Sequence, residues 1–297
     1  MSPTKPRRKR PIYSHSRLSS FEDCPKKFHY RYVLKIPSDT DGIEGFVGKR
    51  VHEVLERLYG AVGRGHVPSH AQLIHRYRTL WDESYDAERV RIVRVENPPE
   101  FYRELGERCL TNYYRNHYPF DGDETVGIEH RVAFPLDDSN DYRIQGFIDR
   151  IVRASDSVLE IHDYKTGARV PSQKSLDSDR QLALYEIGVR REMNVTGPIR
   201  LIWHYLQRDQ TRVSTRTSDQ LVDLRGKTIE LIDRIHAEEA WEPKTGPLCG
   251  WCEYQDRCPA KGGTDSLEIA AAPSEPTPPA ESPRSAAKPP TGQLSFL

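Results

Sequence analysis

The chain has 297 residues, and its 44 lysines and arginines match its 44 aspartates and glutamates, so the formal net charge is zero. That balance excludes a global basic field of the kind that draws nucleic acid, and any such footprint has to be local. With 36% hydrophobic residues the chain can bury a sizeable core, while no apolar run approaches a membrane span or a signal segment; five cysteines in such a chain point to ligands or buried thiols rather than disulfides, and the expected compartment is the cytoplasm.

Lys5, Arg7, Arg8, Lys9 and Arg10 form a basic run without an acid, so residues 1–15 read as a disordered tail that adds non-specific phosphate contacts. In residues 16–36, Ser19 or Ser20 is expected to cap a helix, and Phe21, Phe28 and Tyr32 give it an aromatic face. Cys24 precedes Pro25 and on its own suits an inert core thiol. Residues 48–63 predict an amphipathic helix through Val51, Leu55, Leu58 and Val62, with His52 beside the apolar stripe, where a lone histidine is ordinarily a satisfied boundary residue. Residues 69–118 carry two helical patterns divided at Pro98-Pro99, with Cys109 packed among Leu105, Leu110 and Tyr113.

Residues 124–135 read as a strand leading into two more, 142–152 and 157–167. By the period of two, Gln145, Phe147, Asp149 and Ile151 are expected on one face of the first, and Leu159, Ile161, Asp163 and Lys165 on one face of the second. If the strands are neighbours, two carboxylates and an ammonium converge at the edge of an apolar surface. That set suits a hard divalent cation with a positive group left for a developing anion, and it equally suits a hairpin with ordinary surface charges.

A polar loop at 172–179 precedes a helix over 179–193 with Leu182, Tyr185 and Val189 inward; Gln181 and Tyr185, four apart, share one face. Residues 199–207 predict a strand followed by a turn at 208–210, and 222–238 the last long helix. Cys249, Cys252 and Cys258 then hold three thiols in one loop, and a distant fourth would complete sulfur coordination of zinc or of an iron–sulfur cluster. From residue 263 to 292 the composition collapses to Ala, Pro, Ser and Glu, a disordered linker, before an apolar end at 293–297.

Four segments in order, GKRVHEVLE (48–56), GFIDR (146–150), HDYKTG (162–167) and QLALY (181–185), resemble the PD-(D/E)xK nuclease superfamily and specifically its RecB-like branch. The resemblance spans residues 16–259 and implies an α/β fold of the restriction-endonuclease-like class: a mixed central sheet flanked by helices, with 69–118 as a helical insertion. It implies Mg²⁺- or Mn²⁺-dependent hydrolysis of DNA, on single-stranded ends as an exonuclease of repair or recombination. His52, Asp149, Asp163 and the backbone carbonyl of Tyr164 would hold the metal, Lys165 would act on the reacting water, and Gln181 and Tyr185 would position the strand. Val152 departs from the pattern where many relatives carry an acid. The Cys-Pro at 24–25 with the three later cysteines is similar to relatives that bind a 4Fe–4S cluster through Cys24, Cys249, Cys252 and Cys258, joining the two ends of the domain. CRISPR-associated RecB-like nucleases share these motifs, and a cluster-bearing DNA-binding module acting with a helicase is the reading from outside the enzymes. The peptide at 293–297 resembles those that dock on the replicative sliding clamp, with Gln293 as polar anchor and Leu294, Phe296 and Leu297 for its apolar pocket.

Overall fold

The structure, a computed structural model, describes residues 11–264. The linker and the peptide of Gln293, Leu294, Phe296 and Leu297 lie outside the described residues. Helices α1 (His15–Asp23) and α2 (Pro25–Phe28) open the fold. Ser14, not Ser19 or Ser20, caps α1 by accepting from the Arg17 amide; the two expected caps lie inside the helix, where Ser20 is buried. A two-residue strand β1 (Asp41–Gly42) precedes α3 (Ile43–Val62) and α4 (His70–Ser84), then pairs in parallel with β2 (Val90–Arg91) before α5 (Pro99–His117). The chain continues through β3 (Glu124–Pro135), β4 (Arg143–Arg153), β5 (Leu159–Lys165), α6 (Gln173–Leu176), α7 (Arg180–Glu192), β6 (Ile199–Tyr205), β7 (Gln210–Ser214) and α8 (Ser218–Ala237). The short strand β7, which carries no sequence expectation, closes a hairpin with β6 through Asp209 in a left-handed conformation.

Five strands form one mixed sheet in the order β3-β4-β5-β6-β7, antiparallel except for β5 and β6. That parallel pair needs a crossover, and α6 and α7 supply it. Each sheet face buries its own core. Leu18, Phe21 and Phe28 of the amino-terminal helices join α7 and α8 on one face, over Ile148, Ile161, Leu201 and Trp203. On the other, α3, α4 and α5 pack Leu55, Leu58, Tyr77, Cys109 and Tyr113 against Tyr164. Val152 is fully buried, which explains a valine there.

Tyr13, assigned by composition to the basic tail, is buried and bonded to β4 on both sides: its N–H donates to Arg143 O and its carbonyl accepts from the Gln145 N–H, each at 2.8 Å. It occupies the β4 edge that β5 does not reach, because β4 and β5 pair only from Arg150↔His162 to Arg153↔Leu159.

The second core also buries a polar chain. Thr211 donates to His204 Nδ1 (3.4 Å), His204 Nε2 to His162 Nδ1 (2.8 Å), and His162 Nε2 to Glu160 (2.9 Å), a direction in which both rings are neutral. Burial, reinforced by the Arg150 guanidinium and by His117, pushes both well below the ordinary histidine value. Because the unfolded chain takes up the protons that the folded rings refuse, this pair favours the folded state above about pH 6.5 and draws stability down below it. Nuclear magnetic resonance should show both imidazoles neutral at about pH 5.5, where an unperturbed histidine is mostly charged. A charged His162 or His204 at that pH would refute the neutral chain.

Candidate active site

The site lies where β4 leaves β5. Beyond Arg150↔His162 the ladder stops, and the Asp149 carboxylate takes the next amide: the Tyr164 N–H donates to Asp149 Oδ2 at 2.7 Å. The carbonyl of the same Tyr164 accepts from His52 Nε2 at 2.8 Å, and His52 Nδ1 lies 3.3 Å from Asp149 Oδ1. Helix α3 presents His52 because Val51, Val54, Leu55 and Leu58 bury its other side. Gly146 lets α7 close the floor from the opposite face: a Cβ there would stand 2.2 Å from Tyr185 Cε1.

In the first turn of α7, Gln181 ties the second half of the site together. Lys165 Nζ donates to Gln181 Oε1 (2.9 Å) and lies 2.7 Å from Asp163 Oδ2, while Gln181 Nε2 donates to Asp163 Oδ1 (3.1 Å). Asp179, the N-cap of α7, holds the Gln181 amide. Asp163 Oδ2 is buried and, apart from this ion pair, has no directed hydrogen bond. Its carboxyl is pushed up to about 6 by burial against the opposing pull of Lys165, with Asp149 adding to the rise. Burial works against a charged His52, but the Asp149 and Asp163 carboxylates outweigh it and raise His52 to about 9. The cleft thus demands positive charge, which a divalent cation with oxygen and imidazole ligands would supply.

The structure brings His52, Asp149, Asp163, Tyr164, Lys165 and Gln181 to one place. Tyr185 is also there, but as a buried wall beside Gly146 rather than an exposed hand. The expected sharing of one face along β4 fails at the site: Ile148 and Ile151, three residues apart, both enter the same core, while Arg150 between them stacks 3.8 Å from the Tyr59 ring centroid on the opposite face. The strand pair turns over at this point, and Glu129 on β3, with φ of 44°, marks the matching irregularity.

Glu129 was missed in the sequence. Its carboxylate joins His52 and Asp149 in a group whose ligand atoms all lie within 4.8 Å of one another, able to hold a metal ion. Burial, then the Asp149 charge, raises it to about 7. A glutamate between Ile128 and His130 on a strand looks like ordinary surface. The signal was register: pairing Pro135 with Arg143 in a hairpin sets residue 129 across from Asp149.

A profile of the PD-(D/E)XK nuclease superfamily matches residues 12–259. The chain belongs to the PD-(D/E)XK nuclease superfamily. The mixed five-stranded sheet flanked by helices is the restriction-endonuclease-like α/β fold. Among solved structures the chain is similar to a candidate exonuclease from Eubacterium rectale, at 12% identity over 82% of this chain and 87% of that one, with a TM-score of 0.49. It is also similar to a protein named SSO0001, at 17% identity over 73% and 96% of the two chains, with a TM-score of 0.31. No curated protein matches it. Among the described residues no helix is long and apolar enough to cross a membrane.

Cys24, Cys249, Cys252 and Cys258 line one cavity with Lys26, Lys27, Lys244 and Lys261, whereas Cys109 is buried in the second core. Amide groups face two of the sulfurs, Lys244 N–H toward Cys24 Sγ (3.4 Å) and Gly246 N–H toward Cys249 Sγ (3.3 Å).

Calorimetric titration with Mn²⁺ tests the cleft. Asp149→Asn should weaken binding on the order of a hundredfold and Glu129→Gln less, each losing an anionic ligand, while Lys165→Ala should retain or tighten it by removing a competing charge. Wild-type affinity in Asp149→Asn would place the ion elsewhere.

Proposed function

We propose that this PD-(D/E)XK protein is a metal-dependent deoxyribonuclease of the RecB-like kind, hydrolysing phosphodiesters as an exonuclease on single-stranded DNA ends. One observation carries the reading: the closed ring of Lys165, Asp163 and Gln181 stands beside the cleft where His52, Asp149 and the Tyr164 carbonyl meet. His52, Asp149, Asp163 and the Tyr164 carbonyl are the ligands of Mg²⁺ or Mn²⁺ in this proposal, and Glu129, whose carboxylate groups with His52 and Asp149, is a further anionic ligand. When bound, the cation polarises the phosphate and lowers the pKa of water.

The chain's own groups do the rest. Lys165 Nζ, kept protonated by the Asp163 charge despite burial, donates toward the attacking water and offsets charge on the phosphate oxygens. Gln181 holds that ammonium and the Asp163 carboxylate in one geometry, so neither has to reorganise during the reaction. Cleavage of end-labelled single-stranded DNA with and without Mg²⁺ tests the reading. Activity should require the cation and fall about a hundred- to a thousandfold in Lys165→Ala, the usual loss for one preorganised donor. Wild-type turnover in Lys165→Ala would refute the assignment of the site.

The four-cysteine cavity is proposed to hold a 4Fe–4S cluster. The N–H···S contacts and surrounding lysines suit a thiolate-bound anionic group. When bound, the cluster joins the amino-terminal helices to the end of the domain. The purified protein should be brown, with iron and acid-labile sulfide. Cys24→Ser should lose iron and lower the melting midpoint by several degrees, while Cys109→Ser should keep full iron content. Stoichiometric zinc after anaerobic purification, or loss of iron in Cys109→Ser, would overturn the proposal.

A further inference from the structure

The β3–β4 face beyond the cleft contains an anomaly. Every other aliphatic residue of β4 is buried, Ile144, Ile148, Ile151 and Val152 all at 1% exposure or less, but Phe147 is 55% exposed. Among the described residues it is the one exposed aromatic of the five-stranded sheet, since Phe134, Tyr164, Trp203 and Tyr205 are all buried. Nothing in the fold needs a phenyl ring in solvent at that position.

Its neighbours give it a chemical context. Arg131 is the direct partner of Phe147 across the β3–β4 ladder, so the two side chains stand about 5 Å apart at Cβ on one face. Arg131 is exposed and donates from Nη2 to Gln145 Oε1 at 3.2 Å, which steadies a guanidinium beside the ring without neutralising it. Ala133, opposite Gln145, is exposed and small, leaving the face open. The same row runs into the cleft: Asp149 lies two residues from Phe147 on β4, and Glu129 two residues from Arg131 on β3. Two strand residues cover about 7 Å, the span of one nucleotide of an extended strand.

We propose that Phe147 and Arg131 form a strand-binding subsite one nucleotide from the scissile phosphate. Phe147 stacks on an unpaired base there, and Arg131 contacts the adjoining phosphate. The inference rests on the nuclease reading of the cleft and adds to it the residues that hold the unpaired strand. A base inside a duplex is already stacked on both faces, so only a single strand, or an end that has opened, can offer a free face to the ring. Stacking on an aromatic is tolerant of sequence because every base has such a face, so this subsite selects strand state rather than sequence.

The test uses full-length protein and a labelled single-stranded oligonucleotide, with binding followed by fluorescence anisotropy in Ca²⁺ to slow turnover. Phe147→Ala should raise Kd about five- to a hundredfold, and Phe147→Trp should hold or lower it. Strands with one abasic residue, moved stepwise from the end, supply the control that a structural role would not affect. At one position the abasic strand should bind wild type as weakly as Phe147→Ala binds the intact strand, and the two changes should not add. Arg131→Ala should weaken all strands alike and reduce the salt dependence by about one phosphate contact. Thermal melts check that the variants fold, which the exposure of both side chains favours. Unchanged binding in Phe147→Ala, or an equal loss on intact and abasic strands at every position, overturns the subsite even when wild type cleaves DNA. Failure of wild type to bind or cleave any strand overturns the nuclease reading itself, and the subsite with it.

Discussion

One unmade hydrogen bond organises this molecule. Where β4 and β5 separate, the Tyr164 amide would be left without a ladder partner in a dry interior, and a buried unpaired amide is expensive. The Asp149 carboxylate meets that amide, and His52 from α3 meets the carbonyl on the other side of the same residue. A polar defect in the sheet thereby gathers an acid, an imidazole and a main-chain oxygen. Asp163 and Lys165, flanking Tyr164 on β5, then project together toward α7 and meet Gln181.

Keeping the two strands apart requires a wedge and a brace. Arg150 is the brace: buried at 3% exposure, it donates to the Tyr113 hydroxyl (3.1 Å) and to Thr125 Oγ1 (3.0 Å) and lies over the Tyr59 ring, pinning β4 to α3, α5 and β3 where the strand turns over. Tyr13 is the wedge, occupying the edge of β4 beyond the split at residues 143–145. Burial keeps His162 and His204 neutral and the charge of Arg150 adds to it, so a cation that shapes the strand also bears on a second layer behind it. The irregular backbone at Glu129 belongs to the same turnover and is the kind of local strain that persists where surrounding structure holds it.

Much of this was legible in the chain. Hydrophobic periodicity found α3, α4, α5, α7 and the strands β3 to β6 to within a few residues, because each has one clearly buried side. The Asp, Asp-x-Lys and Gln-x-x-x-Tyr pattern pointed to groups that do meet in space. What escaped depends on tertiary contact. Ser14 won the cap of α1 because the helix begins earlier, where Tyr13 is anchored to β4. Strict alternation along β4 failed because the strand pair inverts at Asp149, an event with no local signature. Glu129 was invisible for the same reason: its role comes from what stands opposite, not from its neighbours in sequence. Strand β7 is mostly exposed and polar, so its pattern did not rise above that of a turn.

The amino-terminal helices have a further consequence, in time rather than space. Phe21 and Phe28 rest against Trp241, the Tyr13 ring meets His236, and the Tyr30 hydroxyl donates to Arg257 O. The partners of the amino-terminal helices are therefore among the last described residues to be made. A ribosome adding about 5 to 20 residues each second needs about 10 to 45 s to travel from Phe21 to Trp241. Throughout that interval the apolar side of α1 has only part of its final cover, while the sheet it belongs to is still being assembled. The emerging chain thus keeps the aromatic side of α1 only partly covered until Trp241 has been made.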